Sequence, residues 1–176
     1  MKVKEWLPIW LENYVKPTAK EKTYTRYSEV VTHHLIPRIG KLEMSEVTPL
    51  TLQQMVTELS AHGNLRTSGG LSANTVNAIV TVIQAALQVA YRLGYLPEYT
   101  ADKVKRPKAA EKQIECFTVE EQKKIEAAAL ADRRQKMFGI VLCLYTGLRI
   151  GELLALEWSD IDFAKGEISI NKSCHD

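Results

Sequence analysis

The sequence is poor in residues that would staple a small fold or hold a metal. Its three cysteines, Cys116, Cys143 and Cys174, are odd in number and far apart, which indicates neither a disulfide framework nor a zinc knuckle. Cys143 lies in an apolar helical stretch and reads as a small core residue. His33-His34 has no partner at metal-ligand spacing, and its place in the core, on the surface or against a phosphate stays open. The first 17 residues hold no apolar run long enough for a secretory signal, and no stretch is expected to span a membrane. A reducing cytoplasm is the expected setting, with no membrane partner. Internal repeats and low-complexity tracts are also missing. What is present is an ordinary globular balance, 45% hydrophobic and 25% charged, which argues against disorder. At 176 residues there is room for one domain of common size or two small ones.

The net charge of +2 conceals an asymmetry. Residues 1–108 carry 14 Lys/Arg against 9 Asp/Glu, and residues 109–176 carry 9 against 12. The first part is the better candidate for a surface that faces a polyanion.

Helical patterns fill most of the chain. A first helix is expected from about Val3 to Tyr14, stopped by Pro17. Thr18-Ala-Lys-Glu21 reads as a capping box opening a second helix to about His34, closed by Pro37 and Gly40. Thr48 caps a third, with Pro49 at its first position and Gly63 at its end. From Ser72 the apolar residues Val76, Ile79, Val80, Ile83, Leu87, Ala90 and Tyr91 keep a helical period for about five turns. Gly94 and Pro97 end that helix.

The segment from Asp102 to Lys108 is not periodic, and four of the six residues 103–108 are Lys or Arg. With the charged stretch to Glu115 it reads as an interdomain linker, either solvated or laid along a phosphate backbone. A second unit starts at Phe117, where Thr118-Val-Glu-Glu121 forms another capping box with Phe117 as a hydrophobic staple. Helices are expected to about Ala131, from Arg133 to Tyr145 with Gly147 as a left-handed terminator, and from Ile150 to Trp158. Two short strands then fall within 161–170, with a turn at Lys165-Gly166.

The stretch from Tyr145 to Asp162 carries the most chemical information. Arg149 opens a helix two residues after a glycine stop, so its charge sits against the helix dipole at a cost of up to about 1 kcal/mol. Free amides and a guanidinium at one helix start make a phosphate-sized pocket with bidentate geometry. Glu152, one turn on, can orient Arg149; the same spacing also fits a plain exposed ion pair worth ~0.3 kcal/mol.

Thr146-Gly-Leu-Arg-Ile-Gly-Glu-Leu153 with Leu156-Glu-Trp-Ser-Asp-Ile-Asp162 closely resembles the first arginine-bearing box of the tyrosine recombinase (phage-type integrase) family. Phe117-Thr-Val-Glu-Glu121 resembles the opening of that family's catalytic domain. Leu35-Ile-Pro-Arg-Ile-Gly40 and Leu71-Ser-Ala-Asn-Thr-Val-Asn77 resemble parts of its core-binding domain. The resemblance implies a mainly α architecture: a four-helix SAM-like core-binding domain over 1–108, a linker over 109–116, and over 117–176 the helical start and first β-hairpin of a truncated α+β catalytic domain. It also implies site-specific DNA recombination and integration. A tyrosine attacks a scissile phosphate to give a 3′-phosphotyrosine, which the 5′-hydroxyl of a partner strand resolves, with no metal or nucleotide cofactor. Arg149 matches the first family arginine and Glu152 its supporting acid.

The family's lysine on a hairpin turn, its His-x-x-Arg pair, its later His or Trp and its tyrosine cannot be assigned here. Lys172 follows the first family-like strand rather than the later turn, and Tyr145 precedes the box. The chain is therefore expected to be a fragment that does not cleave DNA alone, with an edge of its second part covered by another copy or partly disordered. The implied partners are a duplex DNA core site and other recombinase protomers, four on DNA in the full-length protein. Expected DNA contacts are Lys20, Lys22, Thr23 and Arg26 around the second helix and Ser72, Asn74, Thr75 and Asn77 around the fourth. Lys103, Lys105, Arg106 and Lys108 would follow the backbone. For each lysine a solvated helix face is the competing reading, and Asn74 and Thr75 also suit capping. Tyr24 and Tyr27 read as core or rim. The alternatives are a non-catalytic helical DNA-binding regulator, which would leave the Arg149 box unused, or a helical protein-interaction module.

Overall fold

The computed structural model of the chain describes all residues except 68, 100, 110–112, 114, 133–136, 175 and 176. The fold is mainly helical with one small antiparallel hairpin. Backbone contacts divide it into two units, Met1–Lys112 and Gln113–Asp176.

In the first unit, α1 spans Val3–Trp10 and runs on into a wide π-type turn, Leu11–Val15. Its opening amides are met by a distant part of the chain: Val3 N–H donates to Leu42 O and Lys4 N–H to Gly40 O. Pro8 lies inside α1 and cannot donate, and the wide turn follows it within one helical turn, a common accommodation of a broken hydrogen-bond ladder. Helix α2, Glu21–Val30, continues through a second π-type turn, Val31–Leu35, into α3, Ile36–Ile39. Two expectations are corrected here. Pro37 does not stop the helix: the one-residue register shift places it at the start of α3, where its missing N–H costs little. Thr18 does not cap α2 either. Its hydroxyl donates back to Tyr14 O at 2.8 Å, so it serves the end of the preceding helix, and Lys20 stands at the N-cap without a side-chain bond.

Helix α4, Pro49–His62, starts as expected, with Thr48 Oγ1 accepting from Thr51 N–H. The loop after it is held close: a Cβ on Gly70 would lie 1.8 Å from Ser60 O, so only glycine fits. Helix α5, Ala73–Arg92, is capped by Ser72 Oγ accepting from Thr75 N–H at 3.2 Å. It packs against α1, α2 and α4. Val76, Ile79, Val80, Ile83, Leu87 and Ala90 are buried as their spacing predicts, together with Val82 and Ala86. Tyr91, placed on the same stripe by its spacing, is 45% exposed. By length and composition α5 is apolar enough to cross a membrane, contrary to the expectation that no stretch would be; here its apolar stripe lines the core of the unit. Trp6 fills the centre and donates from Nε1 to Ala86 O at 3.1 Å. Trp10 stacks on Tyr27 at 6.0 Å.

The sequence pattern predicts a linker from Asp102 to Lys108. Residues 101–108 instead lie on the first unit, with Ala101 and Val104 buried and Ala101–Lys103 forming one 3-10 turn. Most of the charged stretch toward Glu115 lies outside the described residues.

In the second unit, α6, Val119–Ala131, begins at Thr118, whose Oγ1 accepts from Glu121 N–H while Glu121 accepts Thr118 N–H. The expected staple does not form: Phe117 is 66% exposed, and the position four residues into α6 is the polar Gln122. Helix α7 spans Phe138–Thr146; its expected start at Arg133 lies outside the described residues. Helix α8 is shorter than expected, Ile150–Leu154, and a separate 3-10 turn covers Trp158–Asp160. Strands β1, Ile161–Asp162, and β2, Glu167–Ile168, pair antiparallel with Ile161 opposite Ile168, and Gly166 takes φ 68° in the turn. Among the described residues only Ala129 and Leu148 of this unit are buried hydrophobics, whereas Trp158 and Phe163 are 81% and 77% exposed. Cys143 is half-buried rather than core.

Candidate nucleic-acid interface and arginine site

Arg149 is the last residue of a three-residue break, 147–149, between α7 and α8. Gly147 ends α7 at φ 71°, donating to Cys143 O at 2.9 Å, and buried Leu148 anchors the break. Arg149 then takes an extended conformation at the N-cap of α8. One carboxylate serves it twice: Glu152 accepts from Arg149 N–H at 2.9 Å and from its Nη1 at 3.0 Å. These two bonds, backbone first, hold the Glu152 carboxyl below its ordinary pKa, against the opposing effect of burial. Glu152 is mostly covered at 20% side-chain exposure while Arg149 stays 86% exposed. The guanidinium is thus tethered along one edge, with its remaining donors facing outward.

Nearby, Lys172 is committed to Glu157 at 3.0 Å and Asp160 at 3.2 Å. Its hydrogen bonds to these carboxylates raise its pKa. The segment carrying it lies beside α8, with Cys174 N–H donating to Gly151 O at 2.8 Å. Tyr145 donates its hydroxyl to Glu126 at 3.1 Å, and that bond raises the phenol pKa, the reverse of what a nucleophile needs.

In the first unit the expected DNA contacts fall into two kinds. Lys20, Lys22 and Arg26 are exposed on or beside α2, and Thr23 is half-buried beside them. Arg26 lies 5.6 Å from the Tyr27 ring. Tyr24 donates to Glu12, which also pairs with Lys16. Asn74 is exposed, whereas Ser72 and Thr75 are bonded to each other in the α5 cap. Asn77 points to the chain rather than outward: its Nδ2 donates to Pro107 O at 3.1 Å.

The basic segment is bonded just as specifically. Lys103 is paired with Glu98 at 2.7 Å. Arg106 donates from Nη2 to Gln84 Oε1 at 2.6 Å and from Nη1 to Thr81 Oγ1 at 3.2 Å. Lys105 and Lys108 are exposed. Gln53, Thr81 and Gln84, which hold this segment, are not among the site residues expected from the sequence. The signal available was a lone amide, Gln84, in the apolar run 82–87 of a helix. His33 is exposed and His34 half-buried. Burial, with smaller contributions from Arg38 and His33, lowers the His34 pKa, and its Nδ1 has no hydrogen-bond partner among the described residues. No group of three or more His, Cys, Asp or Glu side chains among the described residues is placed to hold a metal ion.

Two family models match the chain: "Phage integrase, N-terminal SAM-like domain" over residues 2–60 and "Phage integrase family" over residues 113–175. The chain is 28% identical over 173 residues to an integrase of Saccharopolyspora erythraea, covering 97% of this chain and 38% of that protein. It is 29% identical over 170 residues to a XerC-like tyrosine recombinase of Caldanaerobacter subterraneus, covering 93% and 41%. The chain thus spans about two fifths of these relatives. In fold it is similar to lambda integrase (75-356), solved as a dimer bound to a COC′ core site, with TM-score 0.73, 20% identity, and coverage of 93% of this chain and 56% of that one.

Proposed function

Because the chain belongs to the phage integrase family of tyrosine recombinases, we propose that it serves site-specific DNA recombination, with the first unit gripping a duplex core site and Arg149 meeting the scissile phosphate. The observation that carries this reading is the tethered guanidinium. Glu152 fixes one edge of Arg149 and leaves the outer edge for a non-bridging phosphate oxygen. Negative charge grows on those oxygens as the phosphorane-like transition state forms, and a preorganised donor stabilises it without reorganising. The reaction conserves phosphodiester energy in a phosphotyrosine, so it calls for no nucleotide cofactor, and in this reading side-chain donors rather than a metal meet the growing charge.

The 176 residues alone are not expected to cleave. Tyr145 is a poor nucleophile as placed, and Lys172 is neutralised by two carboxylates. The further partners are other protomers on the same DNA, in keeping with the dimer that lambda integrase forms on its core site. The expected setting is the bacterial cytoplasm, on the nucleoid when bound. The domain division proposed is 1–108, 109–116 and 117–176, with contacts to DNA from Lys20, Lys22, Thr23, Arg26, Asn74, Lys105, Arg106 and Lys108.

Arg149→Ala in the intact recombinase tests the reading. Strand exchange should fall by about 10²–10³ or more with duplex binding retained. Unchanged exchange would remove Arg149 from the reaction, and covalent trapping of the 176-residue chain on a nicked site would overturn its assigned inactivity.

A further inference from the structure

Residues 101–107 are held on the first unit by a set of side-chain amides. Gln53 of α4 accepts Lys105 N–H at Oε1 (2.9 Å) and donates from Nε2 to Lys105 O (3.3 Å). One amide thereby satisfies both backbone groups of one residue, as a neighbouring strand would. Gln84 of α5 donates to Ala101 O at 2.7 Å and accepts from Arg106 at 2.6 Å. Asn77, two turns earlier on α5, donates to Pro107 O at 3.1 Å. Buried Ala101 and Val104 anchor the same stretch by their apolar sides.

The chemistry of these partners is selective. Among the described residues every group that holds Arg106 is neutral: Gln84 Oε1, Thr81 Oγ1 and, at 3.5 Å, Asn77 O. Its orientation is fixed while its charge stays uncompensated. Lys103, by contrast, is neutralised by Glu98. An interdomain tether needs no such latch. A cationic edge that has to meet phosphates at set positions gains from one, because ordering side chains and backbone before binding removes that cost from association.

We propose that Gln53, Gln84 and Asn77 are positioning residues that clamp the 101–107 segment to α4 and α5 and so hold Lys105, Arg106 and Lys108 as a preordered phosphate-contacting edge. This rests on the DNA-binding reading above. It reassigns Asn77 from a DNA contact to a clamp member.

Gln53→Leu tests it, because that change alters no charge and removes no proposed DNA contact. In the 176-residue chain free of DNA, the Lys105 amide should be protected from hydrogen exchange and should lose protection in the variant. Affinity for a duplex should drop about fivefold to tenfold. The slope of log K against log salt should stay unchanged, since the same phosphates are still reached. Gln84→Met cuts the other end of the clamp and carries the test if Gln53→Leu does not fold. Wild-type affinity in a variant whose Lys105 amide has lost protection would overturn the proposal, as would an unprotected Lys105 amide in the parent chain. A protected amide in a parent chain that binds no duplex would instead sink the DNA-binding reading beneath it.

Discussion

Raising the salt concentration during duplex binding separates the cations of the first unit that are available to phosphates from those already spent. Seven Lys and Arg residues stand in the expected DNA contacts: Lys20, Lys22, Arg26, Lys103, Lys105, Arg106 and Lys108. Lys103 is tied to Glu98 at 2.7 Å, and hydrogen bonding to that carboxylate raises its pKa. The other six have no ion-pair partner among the described residues. Each phosphate neutralised releases counterions and steepens log K against log salt by about 0.9. Six contacts therefore give a slope of about −5, and affinity should fall about a thousandfold between roughly 50 and roughly 200 mM salt. Fluorescence anisotropy with a labelled duplex reads this directly. Lys105→Gln should make the slope shallower by about 0.9, and Lys103→Gln should leave it in place. Equal losses from both substitutions would refute the division into free and spent cations. A flat salt dependence would refute the grip itself.

Two stability measurements test the local physics. Gly147→Ala meets no atom within 4 Å of its new Cβ, so its whole effect is the left-handed backbone at φ 71°; a loss of about 1–2 kcal/mol is expected by urea unfolding, and a neutral result would mean that α7 ends otherwise. His34 has its pKa lowered by burial, with Arg38 and His33 the charged groups that add to the effect. The folded chain therefore holds fewer protons than the unfolded chain below the ordinary imidazole pKa, and stability should decline as pH falls below about 6.5. His34→Gln should flatten that part of the urea-midpoint profile, and a parent chain with no slope there would contradict the burial argument.

Local patterns were readable where one residue's conformation or one face decided the outcome. The apolar spacing of α5 marked its buried stripe, Thr48-Pro49 marked the start of α4, Gly147 marked a left-handed helix end and Lys165-Gly166 marked a turn. Failures came where two local rules competed. Thr18 stands within reach of two helices, and its hydroxyl went to the free carbonyls of the one before it rather than to the free amides of the one after. Pro37 should break a regular ladder, but a π-type turn directly upstream shifted the register and let the chain stay helical. Nothing within 31–39 announces that shift.

The 101–107 segment shows a different limit, and it bears on how basic segments are read. Its composition resembles a solvated tether: charged, without period, with a proline near its end. What fixes it lies 17 to 52 residues upstream, in amides that look like ordinary polar positions of α4 and α5. Complementarity of that kind exists only once the helices are packed, so no window on the sequence contains it. The Arg149–Glu152 pair is the opposite case, since both partners lie within one helical turn and their spacing alone indicates the contact. The contact between Arg149 and Glu152 could thus be read by spacing, and the resemblance of the surrounding box supplied its expected role, whereas the disposition of Lys105 and Arg106 required the tertiary structure. Charge counts along a chain consequently overstate the cations a polyanion can use: Lys103 and Arg106 are three residues apart, yet a carboxylate neutralises one while neutral acceptors leave the other fully charged.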